Sequence, residues 1–187
     1  MGDTIDVSVW NDFYDAGRWF RPVMDEEREA LRRMVGHGPG RMALDVGCGT
    51  GGFAKFLAEE GYSVLGVDYS AKAVELAQSS NAETLGLQFM CLDAEGDDWE
   101  DLPAYDLIST RLTYAFIGQK SDFLKKVRGR LTPGGVFQVM TPLAEKLPES
   151  RRSIGITADE LEEMCQGWSS VEETVLDAQH TIYTLTV

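Results

Sequence analysis

The 187 residues carry 17 Lys plus Arg against 31 Asp plus Glu, a formal charge of −14. One domain of ordinary size fits this length, and 43% apolar content is that of a globular chain with a real core. The acidic field weighs against nucleic acid and against an anionic membrane surface.

No apolar run approaches the roughly 20 residues of a membrane helix. The opening Met1–Asp6 lacks the basic and apolar regions of a secretory signal, and Asp6 stands where a myristoylation site wants Ser or Thr. Cys48, Cys91 and Cys165 are odd in number and lack metal-ligand spacing. They read as reduced thiols of a cytoplasmic protein, with no metal expected.

In chain order, a helix is expected over about 23–35, with Met24, Leu31 and Val35 on one face, broken by Gly36–Gly40. Then short apolar runs alternate with amphipathic stretches, the pattern of a parallel α/β sheet. Strands are expected at 42–46, 63–67, 87–92, 105–110 and 136–140. Helices are expected at 50–60, at 70–80 behind a Ser70 cap, and at 121–131, where Pro133-Gly134-Gly135 halts the chain. The acidic loop 93–101 has room for only a short helical turn. Thr157 and Glu160 form a capping-box pair before a helix to Cys165, and two β-rich runs, 170–176 and 180–187, form a hairpin. A parallel sheet thus ends in an antiparallel pair. Residues 1–40 are expected to form a cap segment and 41–187 the core of a single domain.

Asp45-Val46-Gly47-Cys48-Gly49-Thr50-Gly51-Gly52 lies between an expected strand and an expected helix. Glycines there allow a tight turn and close approach of a ligand to free helix N–H groups. The spacing fits two glycine patterns, one of them the dinucleotide fingerprint. Asp45 helps to choose, since an acid two residues before the first glycine repels a pyrophosphate and favours an ammonium or sulfonium. Asp68 ends the second strand, where an acid can accept both ribose hydroxyls of an adenosine. Asp93, after the third strand, can receive an adenine amino group. Asp106, at the other end of its strand, reads as structural.

These residues, with Gly66-Val67-Asp68-Tyr69-Ser70, Leu92-Asp93-Ala94, Tyr105-Asp106-Leu107-Ile108 and Leu131-Thr132-Pro133-Gly134-Gly135, resemble the class I S-adenosylmethionine-dependent methyltransferases over about residues 40–187. The resemblance implies a Rossmann-like seven-stranded, mostly parallel α/β sheet with an antiparallel last strand and helices on both faces. It implies S-adenosyl-L-methionine as donor, S-adenosyl-L-homocysteine as product, Tyr69 packed on adenine, and Asp93 with Ala94 at the adenine edge. The donor-contacting set is then Asp45, Gly47, Cys48, Gly49, Gly51, Asp68, Tyr69, Asp93, Ala94 and Thr110, joined by Tyr14 and Trp19. The latter two belong to an aromatic cluster, Trp10, Phe13, Tyr14, Trp19 and Phe20, that can fold over the donor as a lid or pack on the sheet edge.

An amide-gripping Asn/Asp-Pro-Pro-Tyr/Phe run is absent after the fourth strand, which reads Ser109-Thr110-Arg111-Leu112-Thr113-Tyr114. A small-molecule acceptor leads, methylated on O, N or S, with a protein acceptor second. Arg111 is placed to dock an anionic acceptor group, with Arg18, Arg21, Arg151 and Arg152 able to join it. His37 and Tyr114 are the side chains available for proton transfer, and His180 reads as structural. A donor-binding protein without catalysis and a nicotinamide-dependent enzyme remain the alternatives.

Overall fold

The computed structural model describes residues 6–18 and 21–187. Its centre is one seven-stranded sheet, β1 (Met42–Val46), β2 (Ser63–Asp68), β3 (Leu87–Cys91), β4 (Tyr105–Arg111), β5 (Leu131–Pro142), β6 (Ser170–Val175) and β7 (His180–Thr186), in the order β3-β2-β1-β4-β5-β7-β6. β1 to β5 pair in parallel, and β7 runs antiparallel to both β5 and β6. The expected hairpin forms, and its second strand is the one inserted into the sheet.

Around the sheet lie α1 (Val7–Asp15), α2 (Asp25–Met34), α3 (Gly52–Glu59), α4 (Ala71–Ser80), α5 (Lys120–Arg130) and α6 (Ala158–Cys165). Alternation along each strand splits the core in two. Leu44, Ile108, Phe137 and Leu185 pack with Phe123, Leu124 and Val127 of α5 and Met164 of α6. On the opposite face Ala43, Val64, Leu107 and Val136 pack with Leu31 of α2 and Phe53, Phe56 and Leu57 of α3.

The local signals explain the element ends. Ser70 Oγ accepts from Ala73 N at 3.1 Å and starts α4, and Thr157 and Glu160 cap α6 reciprocally. Asp106 is structural, accepting from the Met42 backbone N–H at 2.8 Å and the Thr132 hydroxyl at 3.1 Å.

Two expectations need correction. Pro133-Gly134-Gly135 does not halt α5, which ends at Arg130 and passes directly into β5. Pairing jumps from Tyr105↔Leu131 to Leu107↔Val136, so the Pro-Gly-Gly residues form an irregularity inside the strand. Met24 caps α2 in an exposed position, and the helix buries Glu27 and Ala30 beside Leu31. The acidic loop makes the short turn it has room for, closed by the Asp97 N–H on the Asp93 carbonyl at 2.9 Å. It is pinned by Trp99, only 2% exposed and edge-on to Phe123 at 5.8 Å. No helix among the described residues is long and apolar enough to cross a membrane.

Candidate active site

The strand order reverses direction between β1 and β4, and in such sheets ligands occupy the crevice beyond the carboxyl ends of the strands. Two cavities lie there. The first contains Asp68 and Tyr69 from the end of β2, Leu92, Asp93, Ala94 and Glu95 beyond β3, and Thr113, Phe116 and Ile117 beyond β4. Trp10 and Tyr14 of α1 close it. The second, about 360 Å³, contains Asp45, Cys48, Gly49, Thr50, Arg21 and Arg111. Tyr14, Gly47 and Thr113 line both.

The turn after β1 is built by hydrogen bonds from Gly47 and Cys48 N–H to the Val67 carbonyl, at 2.8 and 3.0 Å. Gly47 adopts φ +71°, and a Cβ there would collide with the Thr113 side chain. Glycine is therefore required both by conformation and by the close approach of the post-β4 loop. Gly49 donates its N–H to Asp68 Oδ2 at 2.9 Å and lies beneath the Tyr14 hydroxyl. Gly51 turns towards Phe89, touches neither cavity and serves the α3 N-terminus.

Asp68 also accepts from Ser70 N at 2.9 Å. Two backbone donors use two of its four lone-pair positions and leave the rest for a ligand. Its burial raises its pKa, against those two bonds. Asp45 is 1% exposed; Oδ1 accepts the Ser109 hydroxyl at 2.9 Å and Oδ2 has no partner among the described residues. Burial pushes its pKa up to about 7, against the lowering effects of Ser109 and Arg111. An unsatisfied buried carboxylate oxygen facing a cavity fits a cationic group. Asp93 is exposed and accepts from the Glu95 N–H at 2.9 Å. Burial drives the Cys48 thiol well above its ordinary value.

The structure thus brings Asp45, Gly47, Cys48, Gly49, Asp68, Tyr69, Asp93, Ala94 and Tyr14 to the two cavities, and leaves Thr110 and Gly51 off them. Thr110 is fully buried inside β4, one residue short of the strand end. Trp19 and Phe20 lie outside the described residues.

Neither expected proton-transfer group reaches the site. His37 precedes β1 at the opposite end of the sheet, 69% exposed and 2.9 Å from Glu60. Tyr114 is fully buried among Phe123 and Phe137, and burial raises its hydroxyl pKa. Arg111 does reach the second cavity, but held by a residue that sequence reasoning missed. Glu27, 2% exposed, accepts from Arg111 Nε at 2.7 Å and Nη2 at 3.1 Å and from Arg21 Nη2 at 2.9 Å. Arg21 also reaches Asp177 and His180. No cluster of three or more potential metal ligands occurs among the described residues.

α1 is docked rather than loose. Asp6 caps it, Asn11 Oδ1 accepts the Ser70 hydroxyl at 2.7 Å, and Trp10 meets Phe116 edge-on at 5.1 Å.

A family model described as a methyltransferase domain matches residues 44–137, half of the chain. The chain belongs to the methyltransferase domain family. As a methyltransferase domain it is 29% identical over 114 residues to malonyl-[acyl-carrier protein] O-methyltransferase of Enterobacter lignolyticus, covering 59% of this chain and 42% of that protein. It is 28% identical over 163 residues to trans-aconitate 2-methyltransferase of Deinococcus radiodurans, covering 86% of this chain and 60% of that one. The chain spans about half the length of these curated relatives. In fold it is similar to a SAM-dependent methyltransferase from Aquifex aeolicus, with a TM-score of 0.72, 16% identity and coverage of 98% and 99%. The seven-stranded sheet with its inserted antiparallel strand is thus the methyltransferase Rossmann-like fold.

Proposed function

We propose that this methyltransferase domain transfers the methyl group of S-adenosyl-L-methionine to a small-molecule acceptor. The observation that carries the reading is the alignment of three acids, Asp45, Asp68 and Asp93, at the ends of β1, β2 and β3 around one glycine turn. An adenosine with a cationic amino-acid tail matches that set, whereas a pyrophosphate would meet Asp45 as a like charge.

What such a donor supplies when bound is an already activated sulfonium methyl, open to in-line displacement. The chain's own residues bind and align. Asp68 accepts ribose hydroxyls with its remaining lone pairs, Tyr69 packs on the base, and Asp93 with Ala94 meets the adenine edge. Asp45 takes the tail's ammonium on Oδ2, and Gly47 lets the chain of the ligand pass close to the backbone. Trp10 and Tyr14 of α1 act as a lid that excludes water, which strengthens these contacts and favours a near-attack arrangement. α1 thereby serves as cap, while α2 joins the core of the donor-binding domain through Leu31.

The acceptor is read as a small organic acid. Two observations support this: cationic side chains border the second cavity, and the relatives above are named for malonyl-[acyl-carrier protein] and trans-aconitate. A carboxylate is already deprotonated at neutral pH and needs no protein base, which suits a cleft away from His37 and Tyr114.

Calorimetry with S-adenosylhomocysteine and NADH tests the donor. Micromolar binding of the former, weakened at least tenfold in Asp68→Ala, is expected; preference for NADH rejects the reading. Transfer of labelled methyl into a metabolite extract then separates an enzyme from a donor-binding protein.

A further inference from the structure

We propose that Arg21 and Arg111, held side by side on Glu27, form a carboxylate-binding wall of the second cavity, with Glu27 as the positioning residue. This rests on the methyltransferase reading and deepens it. A single guanidinium would satisfy Glu27, and Arg111 already does so in bidentate form with both carboxylate oxygens. The second guanidinium, Arg21, adds a positive charge that Glu27 alone does not neutralise, in a chain whose formal charge is −14. Arg21 keeps 30% of its side chain exposed, so water screens part of that charge. Asp177 answers from the exposed side, through Nη1 at 3.2 Å.

The cavity side is left open. Arg21 Nε is buried with no partner among the described residues. Arg111 spends Nε and Nη2 on Glu27 and the Pro22 carbonyl, which leaves the two Nη1 hydrogens. Across the same 360 Å³ space lies Asp45 with its unpartnered Oδ2. The cavity is therefore bipolar, with an acceptor on the floor of the turn and guanidinium donors on the wall supplied by β4 and the segment before α2. Planar guanidinium forks match carboxylates. Two sources present that group: the amino-acid tail of the donor, or the acceptor itself.

Calorimetry on the full chain separates them. The probes are S-adenosylhomocysteine, 5′-methylthioadenosine (the same nucleoside thioether without the amino-acid tail) and malonate titrated into the S-adenosylhomocysteine complex. The variants are Arg21→Met, Arg111→Met and Glu27→Gln, with Lys125→Met, an exposed cation paired with Asp122 away from both cavities, as a control and thermal melting to verify folding. If the donor supplies the carboxylate, the three variants weaken S-adenosylhomocysteine at least tenfold and leave methylthioadenosine unmoved. If the acceptor supplies it, S-adenosylhomocysteine is unmoved and malonate binding is lost. In either case Lys125→Met stays within threefold of wild type. Equal weakening of both nucleosides shows a purely structural cluster and overturns the proposal, as does no change with any probe. Should the wild type fail to bind S-adenosylhomocysteine, the methyltransferase reading fails. Malonate on the free protein then decides the carboxylate site by itself.

Discussion

Replacing Asp45 by Asn tests the electrostatics of the site most directly. The amide keeps the shape and can still accept the Ser109 hydroxyl, but it removes the charge that the unpartnered Oδ2 would carry. Asp45 is raised from an ordinary 3.8 to about 7. The native state therefore binds a proton between these values that the unfolded chain has lost. Stability is fully retained below pH 4 and falls as the pH rises to about 7. At about 1.4 kcal/mol per pH unit, the penalty at pH 8 reaches about 4 kcal/mol. Asp68 is also raised and has the same sign, so a weaker slope persists in the variant. Burial works to raise Asp177, but the Gln179 N–H, the His180 ring and N–H, and Arg21 together lower it, so it has the opposite sign.

Urea unfolding from pH 4 to 8 should show Asp45→Asn matching wild type at the acid end and exceeding it by a few kcal/mol at pH 8. Ligand binding should show the reverse cost. At pH 6, below its raised pKa, Asp45 is mostly protonated in the free protein. An ammonium placed against Oδ2 ionises it, so wild type should release close to one proton on binding S-adenosylhomocysteine. The heat of binding in buffers of different ionisation enthalpy measures that release. Asp45→Asn should release none and bind roughly tenfold to a hundredfold more weakly, as for a lost charge-assisted hydrogen bond. Wild-type binding without proton release, or equal pH slopes in both proteins, would refute the reasoning.

Three further outcomes follow from the same geometry. Gly47→Ala forces a left-handed alanine, at a cost of about 1–2 kcal/mol, and drives Thr113 aside; a lower melting temperature and loss of S-adenosylhomocysteine binding are expected by melting and calorimetry. Trp10→Ala opens the wall between α1 and Phe116, so stopped-flow should show S-adenosylhomocysteine leaving faster while melting shifts little. Tyr114→Phe removes only a buried hydroxyl without a hydrogen-bond partner among the described residues, so turnover with any acceptor found should stay within twofold of wild type; a tenfold fall would return Tyr114 to the reaction.

Much of this site was legible because it depends on local rules. Asp45, Gly47 and Asp68 sit where a strand must end and a helix must begin, and sequence distance alone puts them at one crevice. Ser70, Thr157 and Glu160 announce helix starts by short-range hydrogen bonding. Other features depend on which side of the sheet a residue meets, and no local pattern carries that. His37 adjoins the first strand in sequence but stands at the far end of the sheet. Tyr114 follows the fourth strand as closely as Thr113 does, yet turns into the core. Glu27 looks like one acid among several in a solvated first helical turn. Only the fold brings it to Arg111, 84 residues away. Trp99 was hidden by the charges around it, although a lone tryptophan in an acidic loop is itself a sign of an anchor.

The order of strands also constrains the order of events during folding. β7 follows β6 along the chain but lies between β5 and β6 in the sheet, so β6 touches the rest of the sheet only through β7. An isolated two-stranded hairpin is at best marginally stable in water. The two strands must therefore assemble against β5, after the parallel part exists to receive them. The approach to the hairpin's bend carries Asp177 and the start of β7 carries His180, the residues that grip Arg21. One wall of the proposed carboxylate pocket is thus completed only when the last-docking piece of the sheet arrives, and a chain halted before that step would hold an adenosine crevice without a finished second cavity.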